Sequence, residues 1–385
     1  MEVKEFLTED QLAVREGIRA LVEREIAPRA AGYDRRAEFP WDSWKALCDH
    51  GYVGMSLPEE YGGSGLDMVS LVICVEEISR GCAATGVIFE VHNTLCAATI
   101  HRFGSPAQRS RYLPDLATGR KIGAFAITEP GAGSDVGSIT TSARREGDQW
   151  VLNGRKCFIT SAGVADIYVL FAVTDPSKGT RGISAFVVEK GLPGLSFGKP
   201  EDKLGIRASV TADVVLEDCR LPADAMLGQP GDGIKIALSA LDDGRIGIAA
   251  QAVGIAQAAY EAARSHALQR VQFGRPIAEF QAIQWMLADM ATDIEAARLL
   301  TWRAARAADL GMRHTKEAAM AKLFASRMAM KHTVAAVQIL GGYGYTREYP
   351  VERHLRDAKI TEIYEGTSEI MRLVVARQIL KEVAS

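Results

Sequence analysis

The strongest constraint on this chain is a double change of hydrophobic period. Up to about Gly119 the apolar residues recur at helical spacing. From there to about Ile234 they fall into short segments rich in β-branched and aromatic residues, and beyond Ile234 the helical spacing returns in long runs. The order is α, then β, then α. It reads as an α+β multidomain protein with an N-terminal helical domain over 1–119, a middle β domain of sandwich or barrel type over 120–228, and a C-terminal four-helix bundle over 229–385. A length of 385 residues suits two or three domains.

Local signals fill in this outline. Thr8 and Gln11 fit a capping box ahead of Val14, Ile18, Leu21 and Val22, and Pro28 predicts the end of that helix. Helices follow over Trp41–His50, Met68–Arg80 and Thr85–Phe103, with the Gly- and Pro-rich MSLPEEYGGSGLD as a loop between the first two. Strands are expected at Lys121–Ile127, Gln149–Leu152, Lys156–Thr160, Ile167–Val173, Ile183–Val188 and Thr211–Leu216, and Asn153-Gly154 predicts a hairpin between the second and third. The late helices span about 234–272, 280–310, 315–340 and 367–382, with Gly311 and Gly341-Gly342 at C-caps and Thr367 capping the last.

Composition narrows the function. The chain is 48% hydrophobic and 24% charged, and its formal net charge of −3 argues against a nucleic-acid binder. A polyanionic ligand would have to be met by local basic residues. The N-terminal MEVKEFLTEDQ lacks the apolar run of a secretory signal, and Ile246–Tyr260 falls short of a membrane span. A cytoplasmic protein without stable membrane insertion is expected. Six cysteines form no CxxC and do not cluster with histidines, so neither a metal site nor a disulfide framework is expected.

Five segments can carry chemistry. The first, Phe125-Ala-Ile-Thr-Glu-Pro-Gly-Ala-Gly-Ser-Asp135, fails the dinucleotide fingerprint because Val136 stands where GxGxxG needs glycine. It leaves a strand into a small-residue loop whose N–H groups can approach an anion or a flat ring, although alone it reads as a structural turn. The second is Lys156-Cys-Phe-Ile-Thr-Ser-Ala-Gly163, where Phe158 is core or a stacking face. The third, Arg270-Val-Gln-Phe-Gly-Arg-Pro276 followed by Phe280-Gln-Ala-Ile-Gln284, sets an arginine for a phosphate or a solvated helix end. The fourth runs from Gln338 through Gly341-Gly342 to Asp357. The fifth is Ile363-Tyr-Glu-Gly-Thr-Ser-Glu369, with a carboxylate that taken alone would be a surface charge.

Together, in this order and spacing, FAITEPGAGSD, CFITSAG, RVQFG, QILGGYGYTREYPVERHLRD and IYEGTSE resemble the acyl-CoA dehydrogenases over essentially the whole length. KLGIRAS (203–209) and LDDGRIGIAAQ (241–251) are similar to the short-chain and short-branched-chain branch. The resemblance implies a helical, β, helical fold, usually a homotetramer, with FAD between the β domain and the C-terminal helices. It implies flavin contacts from Phe125, Ile127, Thr128, Gly133 and Ser134 on one side and Phe158, Ile159 and Thr160 on the other, with Thr367 and Glu369 also touching FAD. Arg270, Gln281, Gln338, Gly341 and Gly342 match positions that bind the pyrophosphate and adenine in a neighbouring subunit. Acyl-CoA would meet Ser134, Asp242, Arg245 and Gly366.

Glu365 matches the family's base. Some members carry the base instead at the position of Gly244, which here has no side chain. The implied reaction is α,β-dehydrogenation to the trans-2-enoyl-CoA: Glu365 takes the α-proton, its backbone N–H and a flavin hydroxyl meet the thioester carbonyl, and flavin accepts the β-hydride. Electrons would then pass to an electron-transfer flavoprotein. Many family members have tryptophan where Phe158 stands, which keeps a stacking face but removes an N–H. The competing classes are an acyl-CoA oxidase on the same fold and a non-enzymatic CoA-binding assembly factor. The second would be expected to lose the base or the flavin contacts, and both are present.

Overall fold

In the computed structural model, which describes residues 6–384, the first helix starts at the capping box: the Gln11 N–H donates to the Thr8 hydroxyl at 3.2 Å, and the Thr8 N–H donates to the Gln11 side chain at 3.0 Å. Residues 1–5 of the charged N-terminal stretch lie outside the described residues. Helix α1 (Glu9–Leu21) does not stop at Pro28. It passes through a π-helical turn, Val22–Ile26, and resumes as α2 (Ala27–Arg36). Pro28 is the second residue of α2, immediately after the π-helical turn. Next come α3 (Trp41–Asp49), α4 (Met68–Gly81), α5 (Ala83–Glu90), α6 (Ala98–Phe103) and α7 (Pro106–Ala117). A second π-helical turn, Val91–Ala97, joins α5 to α6.

The β domain holds β1 (Gly123–Ala126), β2 (Ser142–Glu146), β3 (Gln149–Thr160), β4 (Ile167–Val173), β5 (Ile183–Glu189), β6 (Leu195–Phe197), β7 (Thr211–Pro222) and β8 (Met226–Leu227). They form one mixed sheet in the order β6-β7-β3-β2-β4-β5-β8, with β1 added parallel to β4. The hairpin expected at Asn153-Gly154 is absent. Both residues lie inside β3, and the turn is Gly147-Asp148, between paired Glu146 and Gln149. Gly154 (φ 149°) instead sits at a register shift against β7, pressed on Thr141, while the Asn153 side chain pairs with Asp218. A glycine inside a strand here marks a bulge and a close approach.

The C-terminal part opens with α8 (Gly233–Gln269). A short hairpin follows, β9 (Val271–Gln272) and β10 (Arg275–Pro276), and then α9 (Gln281–Asp309), α10 (Thr315–Leu340), α11 (Val351–Ile360) and α12 (Ser368–Ala384). Gly311 and Gly341 end α9 and α10 at positive φ, and the Ile370 N–H donates to Thr367 Oγ1 at 3.3 Å at the start of α12. No helix among the described residues is long and apolar enough to cross a membrane.

Helices α4 and α8 are apolar nearly all round, because each is covered on more than one side: α4 by α1, α8 and α9, and α8 by α4, α9 and α10. Gly254 lets them meet, since a Cβ there would run into the Glu76 carbonyl. The same junction holds a buried ion pair. Arg298 of α9 donates to Glu76 of α4 at 2.8–2.9 Å, and also to Gln257 and Glu295. Removing one partner leaves a buried charge without its counter-charge. Arg298→Ala is therefore expected to cost about 3–5 kcal/mol, measured as a lowered denaturant midpoint. A variant within 0.5 kcal/mol of wild type (roughly the surface-substitution range) would contradict this packing.

Candidate active site

Between α11 and α12 the chain turns through Glu365 (φ 52°) and Gly366 (φ 109°). A left-handed glutamate costs roughly 1–3 kcal/mol and persists only where its surroundings hold it. Two buried cations do so. Arg245 of α8 donates through Nε to the Glu365 carbonyl at 3.2 Å, and Lys322 of α10 donates to the Gly366 carbonyl. Arg245 is itself fixed by Asp242 at 2.7 Å, and Asp242 accepts from Thr315 at 2.6 Å. Position 366 favours glycine because its φ of 109° is a backbone conformation that residues with a Cβ rarely adopt.

This turn aims the Glu365 side chain at α8. A Cβ on Gly244 would collide with Glu365 Oε2 and lie 2.8 Å from Leu95 Cδ2. Oε2 is shut off from solvent and has no hydrogen-bond partner among the described residues. Burial pushes the carboxyl up to about 7, with Lys322, Glu90 and Arg245 pulling against it. Lys322 is in turn brought down by burial to about 8, with Glu365 opposing that shift. A carboxylate so placed can take a proton near neutral pH from a group that enters beside Gly244.

The β domain supplies a second surface. Phe125 and Ile127 are buried at β1, and Phe125 packs on Phe171 with ring centroids 5.0 Å apart. Gly133 and Ser134 lie exposed on the loop after it. Phe158 is 66% exposed at φ 57°, flanked by buried Ile159 and half-buried Thr160. The two segments are locked together. Buried Lys156 donates to Glu129 Oε1 at 2.7 Å and to the Ile127 carbonyl at 3.2 Å, the Cys157 N–H donates to the Thr128 carbonyl at 2.9 Å, and Glu129 accepts from the Thr140 and Thr141 N–H groups at 2.7 and 2.9 Å. In the C-terminal part, Thr367 and Glu369 line a polar cleft with Arg327, Lys359, Glu362 and Arg372, in which Lys359 pairs with Glu362 and Arg372 with Glu369. The exposed aromatic face of Phe158 and the open glycine loop suit a planar ring, and the arginines of the cleft suit an anionic group, which fits a flavin nucleotide.

The structure therefore brings Glu365, Asp242, Arg245 and Gly366 together. It does not bring Arg270 to them. Arg270 lies at the other end of α8, about 37 Å from Arg245 at 1.5 Å per residue, with its guanidinium 5.4 Å from the Tyr343 ring centroid. Gln281, Gln338, Gly341 and Gly342 are exposed. Lys322 and Glu90 escape the sequence reading, whereas Asp243 lies in the LDDGR segment that it singled out. Asp243 is buried, paired with Arg102 at 2.7 Å and His314 at 2.9 Å. A lysine inside a helix gives no sequence signal, whereas Glu90 is the one acid in the apolar run Ala83–Ile100 and could have been noticed on that ground.

Residues 8–120, 124–219 and 231–380 match the family models for the acyl-CoA dehydrogenase N-terminal, middle and C-terminal domains. The chain is 51% identical over 375 residues to a short-chain specific acyl-CoA dehydrogenase of Clostridium acetobutylicum, covering 97% of this chain and 99% of that one. Two solved structures superpose with a TM-score of 0.96, each covering 99% of this chain and 100% of its own. One is the butyryl-CoA dehydrogenase of Megasphaera elsdenii, at 45% identity, and the other comes from structural work on the electron transferring flavoprotein of Acidaminococcus fermentans, at 48%.

The Glu129–Lys156 pair makes a pH prediction. Burial alone would raise Glu129, but Lys156 and the threonine donors outweigh it and hold the carboxyl at about 2, below its ordinary 4.5. Its contribution to stability is thus complete above pH 4.5 and lost as pH falls toward 2. Glu129→Gln should lower the melting temperature at neutral pH and flatten the loss of stability across that acid window. An unchanged acid slope in thermal melts would contradict the assignment.

Proposed function

Because this chain belongs to the acyl-CoA dehydrogenase family and is an acyl-CoA dehydrogenase, a flavin-dependent oxidoreductase, we propose that it converts a short acyl-CoA thioester to its trans-2-enoyl-CoA with Glu365 as the base. The observation that carries the proposal is the Glu365 carboxylate itself. The residue is half-buried, its Oε2 is shut off from solvent and has no partner among the described residues, and it faces the side-chain-free surface of Gly244, with Lys322 and Arg245 fixing its turn.

A thioester α-C–H is a weak acid and needs a base at contact distance. Glu365 takes that proton, and the neutral acid that results suits its dry surroundings. The Glu365 N–H is the proposed donor to the thioester oxygen as negative charge grows on it. Bound FAD supplies the two-electron acceptor for the β-hydride. Phe125, Ile127, Thr128, Gly133, Ser134, Phe158, Ile159, Thr160, Thr367 and Glu369 are the proposed contacts that hold and orient it. Ser134, Asp242, Arg245 and Gly366 are the proposed contacts for the acyl-CoA.

The separation of Arg270, Gln281, Gln338, Gly341 and Gly342 from this site supports a further reading, in which they serve the cofactor of a neighbouring subunit in a homotetramer. The three domains are proposed as 1–119, 120–228 and 229–385, and the protein as cytoplasmic, with an electron-transfer flavoprotein as acceptor. The likeness to the Acidaminococcus fermentans structure is consistent with that acceptor.

Short-chain preference is supported by the Clostridium acetobutylicum and Megasphaera elsdenii proteins and by Leu95, whose Cδ2 stands beside Glu365 from the π-helical turn. Two tests follow. Glu365→Gln should keep flavin and bind acyl-CoA while losing about 10²–10⁴-fold or more in turnover, read by anaerobic bleaching of the flavin; wild-type bleaching would refute the base. Leu95→Ala should move the kcat/KM optimum toward longer chains, at about 0.8 kcal/mol for each methylene accommodated. An unmoved optimum across a panel of acyl-CoA lengths would remove Leu95 from the pocket wall.

A further inference from the structure

We propose that Glu90 is a neutral carboxylic acid that donates a hydrogen bond to the Glu365 carboxylate and so acts as a positioning residue for the base; this rests on Glu365 being that base. Glu90 ends α5 with no exposed surface, inside an otherwise apolar run. Thr94 of the following π-helical turn donates to its Oε1. Its other oxygen, Oε2, is buried without a partner among the described residues, and so is Oε2 of Glu365. Two orphaned carboxylate oxygens in one dry region are costly, and a single proton between them satisfies both.

The glycines of α8 make the meeting possible. A Cβ on Gly247 would lie 2.5 Å from Glu90 Cγ and 2.8 Å from its Oε1, while a Cβ on Gly244 would strike Glu365 Oε2. Residues three apart face the same way on a helix. The two carboxyls therefore lie along one bare stripe of α8, with room made for both.

The charges around the stripe decide which carboxyl keeps the proton. Glu365 has two cations on its turn, Lys322 from α10 and Arg245 from α8. Glu90 has the Thr94 hydroxyl, and beyond it the negative charge of Glu365 and that of Asp243, the latter paired with Arg102 and His314; Tyr364, from the turn, is neutral. The proton belongs on Glu90 and the negative charge on Glu365. Consistent with this, burial and the Glu365 charge hold Glu90 well above the usual carboxylate range, while the hydrogen bond from Glu90 works against the burial that raises Glu365.

The arrangement predicts opposite behaviour from two substitutions. Glu90→Gln keeps a donor of nearly the same shape. Glu90→Leu fills the space and removes the donor, so the charged form of Glu365 loses support. In the flavin-loaded enzyme, the acid limb of kcat/KM against pH should superimpose on wild type for Glu90→Gln and move up by about one pH unit for Glu90→Leu, as expected for one hydrogen bond to a charged group. The infrared difference between wild type and Glu90→Gln at pH 8, without substrate, should contain the carbonyl band of a neutral carboxylic acid. Equal shifts in both variants, no shift in either, or no such band would overturn the proposal and leave the base untouched. Substantial turnover by Glu365→Gln would instead overturn the base, and the role of Glu90 with it.

Discussion

Two buried cations, each donating to a backbone carbonyl, hold the turn on which the site is built: Arg245 on Glu365 and Lys322 on Gly366. They come from different helices, α8 and α10, which pack directly on each other, so the aim of the carboxylate depends on that packing. Helix α8 is in turn seated on α4 at Gly254, and Arg298 ties α9 to Glu76 of the same α4. Burying a lysine and an arginine is costly unless each is paired. Here Asp242 answers Arg245, and the charged form of Glu365 opposes the downward shift of Lys322. The β domain repeats this arrangement. Lys156 and Glu129 form a buried pair that fixes the loop bearing Gly133 and Ser134 against the strand bearing Phe158. In both places an internal ion pair sets the geometry of a surface that has to meet a ligand.

Much of the fold is legible in the sequence because its signals are local. The α, β, α order follows from hydrophobic period, the Thr8–Gln11 box and the glycine ends of α9 and α10 from side-chain and backbone chemistry within a few residues. The misreadings share a cause. Pro28 is an ordinary stop signal, but a π-helical turn before it lets a new helix begin around it. Asn153-Gly154 is an ordinary hairpin signal, but Asp218 and Thr141, both distant in sequence, hold it in a bulged strand. Strands β2, β6 and β8 are short or polar and carry no clear period of their own.

The candidate site divides in the same way. Glu365, Asp242, Arg245 and Gly366 stand in motifs, and the structure brings them within contact of one another. Lys322 and Glu90 stand in no motif. Their importance comes from tertiary burial, which one sequence cannot display; a lysine in α10 looks like any surface lysine until the turn after α11 closes over it. The distance from Arg245 to Arg270, by contrast, is already implied by the helix expected over about 234–272, which the structure shows as one uninterrupted helix, Gly233–Gln269.

Glu365 is the residue proposed to carry the proton-transfer step. Exchange of the acyl-CoA α-hydrogens with deuterated solvent, followed by NMR on enzyme whose flavin has already been reduced, isolates that step because no hydride can then leave the β-carbon. The account predicts α-exchange in the wild type that rises as pH passes through about 7, following the carboxyl, and essentially none in Glu365→Gln. Exchange in that variant at the wild-type rate, or a wild-type profile flat from pH 5 to 9, would contradict it.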